Sequence, residues 1–297
     1  IARTAIHANP LNLLAGTPVY TAYLRLLGMH VGSNTLILSL PPVCTDLVSI
    51  GANSVIRHDS VYPGYTAHNG YIYPGTISIG SDVLICEATV LDINTAMGDG
   101  SQLGTTSALL EGQVVPAGAT YQGSPAEPAT TNYNRVSPVP ASAQRTGLYA
   151  TSQVLSLILL SLPASVLLAV FVAKLGISTT DFINWPGAAG TAAGLAAGAA
   201  VFYFGSLLLG MITVIAVPRL LNYFFRSEVV HPIYGLQYQL ARSITRLSNN
   251  RILNTLFGDS SMILKWLSAV GYDLTQCTQT GSNFGVDQRH HSPFLCV

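Results

Sequence analysis

Charge is scarce in this sequence. Only 9% of its 297 residues are Asp, Glu, Lys or Arg, where an ordinary soluble domain carries about 25%, so much of the chain avoids water. The formal net charge is zero, and with no basic excess nucleic acid is excluded as a partner. Cysteine is equally sparse. Cys44, Cys86, Cys277 and Cys296 stand far apart without a CxxC pair, which argues against a disulfide framework or a zinc site and for buried free thiols. No signal-peptide n-region opens the chain. It begins at Ile1 and stops in Phe294-Leu295-Cys296-Val297, the beginning of a strand by composition, so it reads as a piece of a longer polypeptide.

What is present is a period of six. From Ile79 to Tyr121 an aliphatic or bulky residue falls at every sixth position: Ile79, Ile85, Leu91, Met97, Leu103, Leu109, Val115 and Tyr121. The next residue is usually small or turn-forming (Gly80, Cys86, Asp92, Gly98, Gly104), and the fifth is mostly small or β-branched (Val83, Thr89, Thr95, Ser101, Ser107). A helix repeats near 3.6 and a half-buried strand at 2. Six marks the hexapeptide repeats of a parallel β-helix, three hexads to a coil, so residues eighteen apart stack. Earlier hexads start at Val31, Ile50 and Ile56, but Ile50 and Ile79 are out of step. The register therefore breaks between Val61 and Ser78, across Tyr62-Pro63-Gly64-Tyr65-Thr66-Ala67-His68-Asn69-Gly70. A loop leaving a regular scaffold is a favoured place for function.

The rest of the chain organises around this unit. A lead-in helix over 1–30, with helical apolar spacing from Asn9 to Gly28, is expected at a membrane or at the β-helix end, with Arg25 able to snorkel. The β-helix occupies 31–128 and a Pro/Ser/Thr/Ala-rich linker 129–147. No charge occurs between Arg145 and Lys174 or between Asp181 and Arg219. Both windows exceed the ~20 apolar residues that cross a bilayer. Leu148–Val172 and Ala188–Val217 are therefore expected as two transmembrane helices within 148–218. Pro163 would kink the first, and Asn184-Trp185-Pro186-Gly187 would form the turn between them. Gly190, Gly194 and Gly198 make overlapping GxxxG steps that suit close helix packing. Arg135 and Arg145 precede the pair and Arg219, Arg226, Arg242, Arg246 and Arg251 follow it, against Lys174 and Asp181 in the turn. The positive-inside rule then makes both flanks cytoplasmic. Residues 219–297 read as cytoplasmic helices and the truncated start of a second β-helix module. Gly258–Gly271 echoes Gly16–Gly28, and Gly281-Ser282-Asn283 echoes Gly32-Ser33-Asn34.

Several runs carry a family resemblance: Val43-Cys44-Thr45-Asp46-Leu47, Ile56-Arg57-His58-Asp59-Ser60, Gly64-Tyr65-Thr66-Ala67-His68, Thr89-Val90-Leu91-Asp92-Ile93, Met97-Gly98-Asp99-Gly100 and Gly123-Ser124-Pro125-Ala126. Over nearly its whole length the chain resembles the C-terminal membrane region of ε-poly-L-lysine-synthetase-type nonribosomal peptide synthetases. Phe257-Gly258-Asp259-Ser260-Ser261 and Thr280-Gly281-Ser282-Asn283-Phe284-Gly285 resemble that family's next tandem unit. The resemblance implies a left-handed β-helix similar to hexapeptide acyltransferases, joining amino acids held as thioesters by upstream adenylation and carrier domains. It implies no cofactor bound by this segment itself. A phosphopantetheine-linked substrate would come from the carrier, with coenzyme A the alternative donor.

On this reading the β-helix is an acyltransferase at the cytoplasmic membrane face, with carrier and adenylation domains of the same polypeptide, membrane lipid and threefold packing of β-helix modules as partners. A histidine suits removal of the proton from an amine that attacks a thioester. In related hexapeptide acyltransferases the base sits on a loop interrupting the coils, which points to His68. The bland reading is a surface-loop histidine bonded to nearby backbone. His58 lies on a regular hexad. Asp59 either orients a histidine or turns a corner. Glu87, Asp92 and Asn94 could line the same face. Gly123, Ser124 and Pro125 resemble the closing segment that approaches a pantetheine arm, although Ser124 stands where the family has Asn. His7, His30 and His231 read as interfacial, and His290 and His291 have no assignable partner. The hexads from Ile79 to Tyr121 hold no histidine, so no metal is expected. Two other readings stay open, a coenzyme-A-dependent acyltransferase on a small acceptor and a non-catalytic scaffold or export region.

Overall fold

The computed structural model describes residues 14–134, 142–156, 158, 189–225, 229–249, 251–258, 260–274 and 276–277. Contacts divide the chain into two compact units, Ile1–Gln153 and Val154–Val297.

The first unit is a parallel β-helix with three faces. Strands His30–Val31, Val48–Ile50, Ile77–Ile79, Thr95–Met97 and Val114–Val115 stack in the first face. Leu36–Ile37, Val55–Ile56, Leu84–Ile85, Gln102–Leu103 and Thr120–Gln122 form the second, closed by the antiparallel strand Glu127–Ala129. Val61, Val90–Leu91 and Ala108–Leu109 form the third. Residues eighteen apart are partners throughout the later coils: Ile79 with Met97, Ile85 with Leu103, Leu91 with Leu109 and Met97 with Val115. All these side chains are buried in one core, with Tyr121 packed against its end. Each such aliphatic contributes roughly 1.5–3 kcal/mol of burial.

The corners explain the other positions of the hexad. A Cβ on Gly51 would lie 2.5 Å from a backbone atom of Gly80 in the next coil, so only glycine lets those turns stack. Asn34, Asn53, Asp59, Asp82 and Asn94 take left-handed backbone conformations at corners, which Asn and Asp tolerate best among non-glycine residues. Small buried hydroxyls staple coil to coil. Ser54 Oγ donates to the Gly80 carbonyl at 2.8 Å and accepts from Val83 N–H at 3.1 Å.

Two departures from the period are accommodated. Partners in the first two coils are nineteen apart, Val31 with Ile50 and Ile37 with Ile56. A short turn of 3₁₀ helix, Thr45–Leu47, lies in the segment that takes up the extra residue. The next coil partners Ile50 with Ile79 and Ile56 with Ile85, twenty-nine apart. The eleven additional residues leave as a hairpin. Tyr62, expected in the loop, is instead core. Val61 bridges to Val90, so Tyr62 follows in register with Leu91 and points inward, its hydroxyl 2.8 Å from Ser39 Oγ. An aromatic fits because the coil below has no regular strand on this face.

The lead-in helix runs Pro18–Leu26, opened by a Thr17 Oγ cap on Tyr20 N–H. It packs on the β-helix end by Tyr20, Thr21 and Leu24. Arg25 does not snorkel. Its guanidinium donates to the carbonyls of Val31 at 2.9 Å and Gly32 at 2.7 Å. At the other end the expected linker begins as ordered chain, because the Gln102 side chain donates to Asn132 Oδ1 and accepts from Tyr133 N–H. Helix resumes at residue 143 rather than 148. The cysteines are free, but only Cys86 is buried; Cys44 and Cys277 are partly exposed, and Cys296 lies outside the described residues.

In the second unit, helix Ala189–Phe224 runs on past Val217, where the expected span ended. Within it Ala199–Phe224, at mean hydropathy 2.2, is long and apolar enough to cross a membrane. The expected partner span is helical at 148–156 and 158; its remainder, Pro163, Lys174, Asp181 and the turn at Asn184–Gly187 lie outside the described residues. So do His7, His290, His291 and Thr280–Gly285. Helices Leu236–Ser248, Arg251–Phe257 and Met262–Val270 follow. The last buries Ile263, Trp266, Leu267 and Val270 with Val214 and Leu253. It also ends at a left-handed glycine, Gly271, as Pro18–Leu26 is followed by Gly28.

Candidate active site

The excursion after Tyr62 is an antiparallel hairpin, Tyr65–His68 with Tyr71–Pro74. Its turn, Asn69-Gly70, has positive φ at both residues, the two-residue turn whose twist suits a hairpin. The neck is closed by Gly75 N–H donating to the Gly64 carbonyl at 3.1 Å. A side chain would be crowded at Gly64, whose φ is +73, and has no room at Gly75. A Cβ on Gly64 would sit 3.0 Å from Cys44 Cβ, and one on Gly75 would sit 2.6 Å from Ile93 Cβ and 2.8 Å from Asn94 Oδ1. The hairpin is thus seated between the first coil and the third.

His68 occupies the last strand position before the turn, opposite Tyr71. Alternation along a strand puts His68, Thr66, Tyr71 and Tyr73 on one side and Ala67 and Ile72 on the other. The rings of Tyr71 and Tyr73 lie 6.5 Å apart. His68 is exposed, with Tyr71 at 69% and Ile72 at 70% exposure. The imidazole makes no hydrogen bond among the described residues, so the backbone-bonded alternative does not hold there. An exposed imidazole beside phenols can accept a proton from a group brought to it.

The other expected residues fall on two different corners. Asp92 and Asn94 belong to the corner from which the hairpin leaves. Asn94 supports the neck, while Asp92 Oδ1 accepts from Ile93 N–H at 2.8 Å, shaping its own turn. Glu87 does not join them. It sits across the third face, 3.0 Å from Arg57 in a pair whose side chains are 42% and 33% exposed. His58 and Asp59 share that corner, where Asp59 takes a left-handed backbone and the His58 carbonyl accepts from Ala88 N–H. Gly123 closes the same corner, taking Ser107 Oγ on its N–H at 3.0 Å. Ser124 and Pro125 are exposed where the chain reverses into Glu127–Ala129. Grouping these residues around one site fails because hexads six apart lie on different corners.

Sequence reasoning missed Tyr71, Ile72 and Tyr73, although Asn-Gly flanked by aromatic and β-branched residues is a strong hairpin signal. It also missed Cys44, whose N–H donates to the Pro63 carbonyl at 3.2 Å under the neck. Burial, with Asp46 adding to it, pushes the Cys44 thiol up, and burial does the same at Cys86; both are therefore held as neutral thiols. Of the interfacial histidines, His30 is an exposed strand residue opposite Ser49, and His231 lies edge-on to Phe225. Among the described residues no three His, Cys, Asp or Glu side chains gather as a metal would need.

No protein-family profile matches the chain. Over 120 residues, 40% of its length, it is 28% identical to delta-poly-L-ornithine synthetase of Acinetobacter baumannii (strain AB307-0294). The chain is thus distantly similar to a peptide synthetase, and the match spans 9% of that protein. Solved structures with likeness to the chain include a maltose O-acetyltransferase from Clostridium difficile 630, at 16% identity, 43% of this chain, 80% of that one and a TM-score of 0.34. A hexapeptide-repeat acetyltransferase from Vibrio cholerae gives 17% identity, 44% and 92% coverage and the score 0.34. A serine acetyltransferase from Neisseria gonorrhoeae gives 22%, 36% and 40%, and 0.29.

Proposed function

We propose that the β-helix unit transfers an aminoacyl group from a thioester to an amine at a membrane surface, with His68 as general base. The donor is an aminoacyl thioester on a phosphopantetheine arm, presented by a carrier domain loaded by an adenylation domain of the same polypeptide. The acceptor nitrogen attacks the thioester carbonyl. The C–N bond forms, the C–S bond breaks, His68 takes the proton lost by nitrogen, and the thiol departs with a proton returned to sulfur. Helix Ala189–Phe224 crosses the bilayer and keeps the β-helix on the cytoplasmic side. Threefold packing of such modules would set a neighbour against the hairpin, completing the groove in which the arm lies.

The observation that carries this reading is the hairpin, which places an accessible imidazole clear of the coil wall. The likeness to a peptide synthetase supports amide formation over ester formation. In a protein supplied with its loaded carrier, His68→Ala is expected to leave donor loading intact and lower product formation at least ~10²-fold, the usual scale for a general base. His58→Ala should be far milder. Unchanged yield from a folded, loaded His68→Ala protein removes the assignment.

One observation favours a second reading. No described group orients the His68 imidazole, and the hairpin exposes three apolar or aromatic side chains, as a docking finger on a non-catalytic scaffold would. Coenzyme A as donor needs no carrier, and activity with acyl-coenzyme A alone would identify it.

A further inference from the structure

Helix Ala189–Phe224 carries a single charged side chain, Arg219, close to its C-terminal end. About 20 helical residues cover a ~30 Å hydrocarbon layer, and the apolar stretch Ala199–Phe224 has 26. When this helix crosses a bilayer, its first charge therefore emerges at Arg219. Tyr223, 86% exposed, and Phe224 come immediately after, the residue types that settle at a membrane–water boundary.

The chain next forms helix Leu236–Ser248, and this helix is tied to the same boundary. Gln237 Nε2 donates to the Phe224 carbonyl at 3.2 Å, and the two helices pack together. Ile244 and Ser248 are buried, four residues apart on one side. Arg242 and Arg246, also four apart, fall on the opposite side by the 100° step of the helix. The Arg242 guanidinium lies 5.7 Å over the Tyr238 ring, and Tyr238 meets Tyr234 edge-on at 5.8 Å. Between Asp181 and Asp259 the sequence has five arginines, at 219, 226, 242, 246 and 251, against one acid, Glu228. An arginine-bearing helix side, floored by tyrosines and continuous with a lipid-exposed apolar helix, complements one surface in particular.

We infer that the Arg242–Arg246 side of helix Leu236–Ser248 docks on anionic phospholipid headgroups of the leaflet where the long helix emerges. The inference rests on the membrane crossing proposed above and is independent of the chemistry at His68. Guanidinium groups suit phosphate because their fork of N–H donors matches its oxygens. Lipid is favoured over free phosphate because the flanking tyrosines and the apolar helix add a surface that only a bilayer covers.

The test has two arms, both on the intact chain. In the first, membranes are washed with alkaline carbonate; retention of the chain is expected, and release overturns the crossing itself. In the second, the detergent-purified chain is titrated with phosphatidylglycerol, phosphatidylcholine or inorganic phosphate while thermal unfolding is followed. Phosphatidylglycerol alone should raise the midpoint. Arg242→Gln/Arg246→Gln should weaken its apparent affinity about fivefold for each arginine without altering carbonate retention. Arg242→Lys/Arg246→Lys keeps the charge and should keep most of the response, which separates loss of binding from misfolding. Equal stabilisation by phosphatidylcholine, a response to phosphate alone, or an unchanged response of the glutamine variant overturns the inference.

Discussion

Removing the hairpin separates what holds the β-helix together from what is proposed to make it an enzyme. In the regular coils Leu91 and Met97 are joined by Asp92-Ile93-Asn94-Thr95-Ala96, with Asn94 in the left-handed region at φ 59. The equivalent inward residues one coil earlier are Tyr62 and Ile79. Deleting Tyr65–Gly75 takes out the eleven residues in excess of the period and joins Gly64 to Thr76. Thr76 then occupies the position of Asn94, so Thr76→Asn should accompany the deletion and spare the ~1–2 kcal/mol that a left-handed β-branched residue costs. The length-dependent part of closing an eleven-residue loop is about 2 kcal/mol by (3/2)RT ln n. The deletion recovers that and loses a two-stranded hairpin that is marginal by itself in water. The two effects oppose each other at similar size, so the melting midpoint should move by only a few degrees. Far-ultraviolet circular dichroism should keep its strand signal, and product formation should fall at least as far as in His68→Ala. A folded deletion protein that still transfers would refute His68 as the base. One that cannot fold would refute the idea that the excursion stands outside the coil register.

Other expectations concern the scaffold. Ser54→Ala leaves the buried Val83 N–H without its acceptor and should cost ~1–3 kcal/mol in chemical denaturation. Ser101→Ala should be neutral or stabilising, because Ser101 Oγ is buried with no hydrogen-bond partner among the described residues. Leu91→Asp or Leu103→Asp places a charge in a core with no partner for it and should abolish folding, read by loss of the cooperative melt. Burial pushes the Tyr62 phenol up to about 12 and raises that of Tyr20 in the same direction. The unfolded value is near 10. The raised folded value means this stability is complete below pH ~10 and is lost as pH climbs towards 12. Tyrosinate absorbance should therefore rise together with unfolding across that window.

How much of this was legible depends on which residues repeat. From Ile79 to Tyr121 the aliphatics specify both coil and register, because every inward position sees the same narrow core. Tyr62 was unreadable as core since its neighbours Pro63 and Gly64 are turn formers, and only the Val61–Val90 bridge reveals its direction. His68 was singled out because the segment that carries it interrupts the period. Glu87 was misplaced because sequence distance along hexads does not tell one corner from the next, and the Arg57 partner lies thirty residues away. Arg25 looked like a snorkelling cation because its carbonyl partners, at Val31 and Gly32, belong to the first coil and not to the helix.

The two irregularities of the β-helix lie in contact at one edge of the prism. The segment holding the first coil's extra residue includes Cys44, which meets the hairpin neck at Pro63 and Gly64. On the other side Gly75 rests against Ile93 and Asn94 of the third coil. Every regular strand pair above and below keeps its register, so neither departure disturbs the ladder that holds the coils. A parallel solenoid adds stability coil by coil through neighbour contacts, and a corner is where backbone can leave without breaking such a contact. The scaffold therefore leaves the hairpin's sequence free, except at the neck, where Gly64 and Gly75 meet packed atoms. Tyr65 to Pro74 can vary with whatever the hairpin meets, while Cys44, Gly64, Gly75 and Asn94 set the direction in which it points. The role proposed for His68 at the far end of this hairpin depends on a fixed neck more than on a fixed tip, and it is at the neck that the close-packed atoms lie.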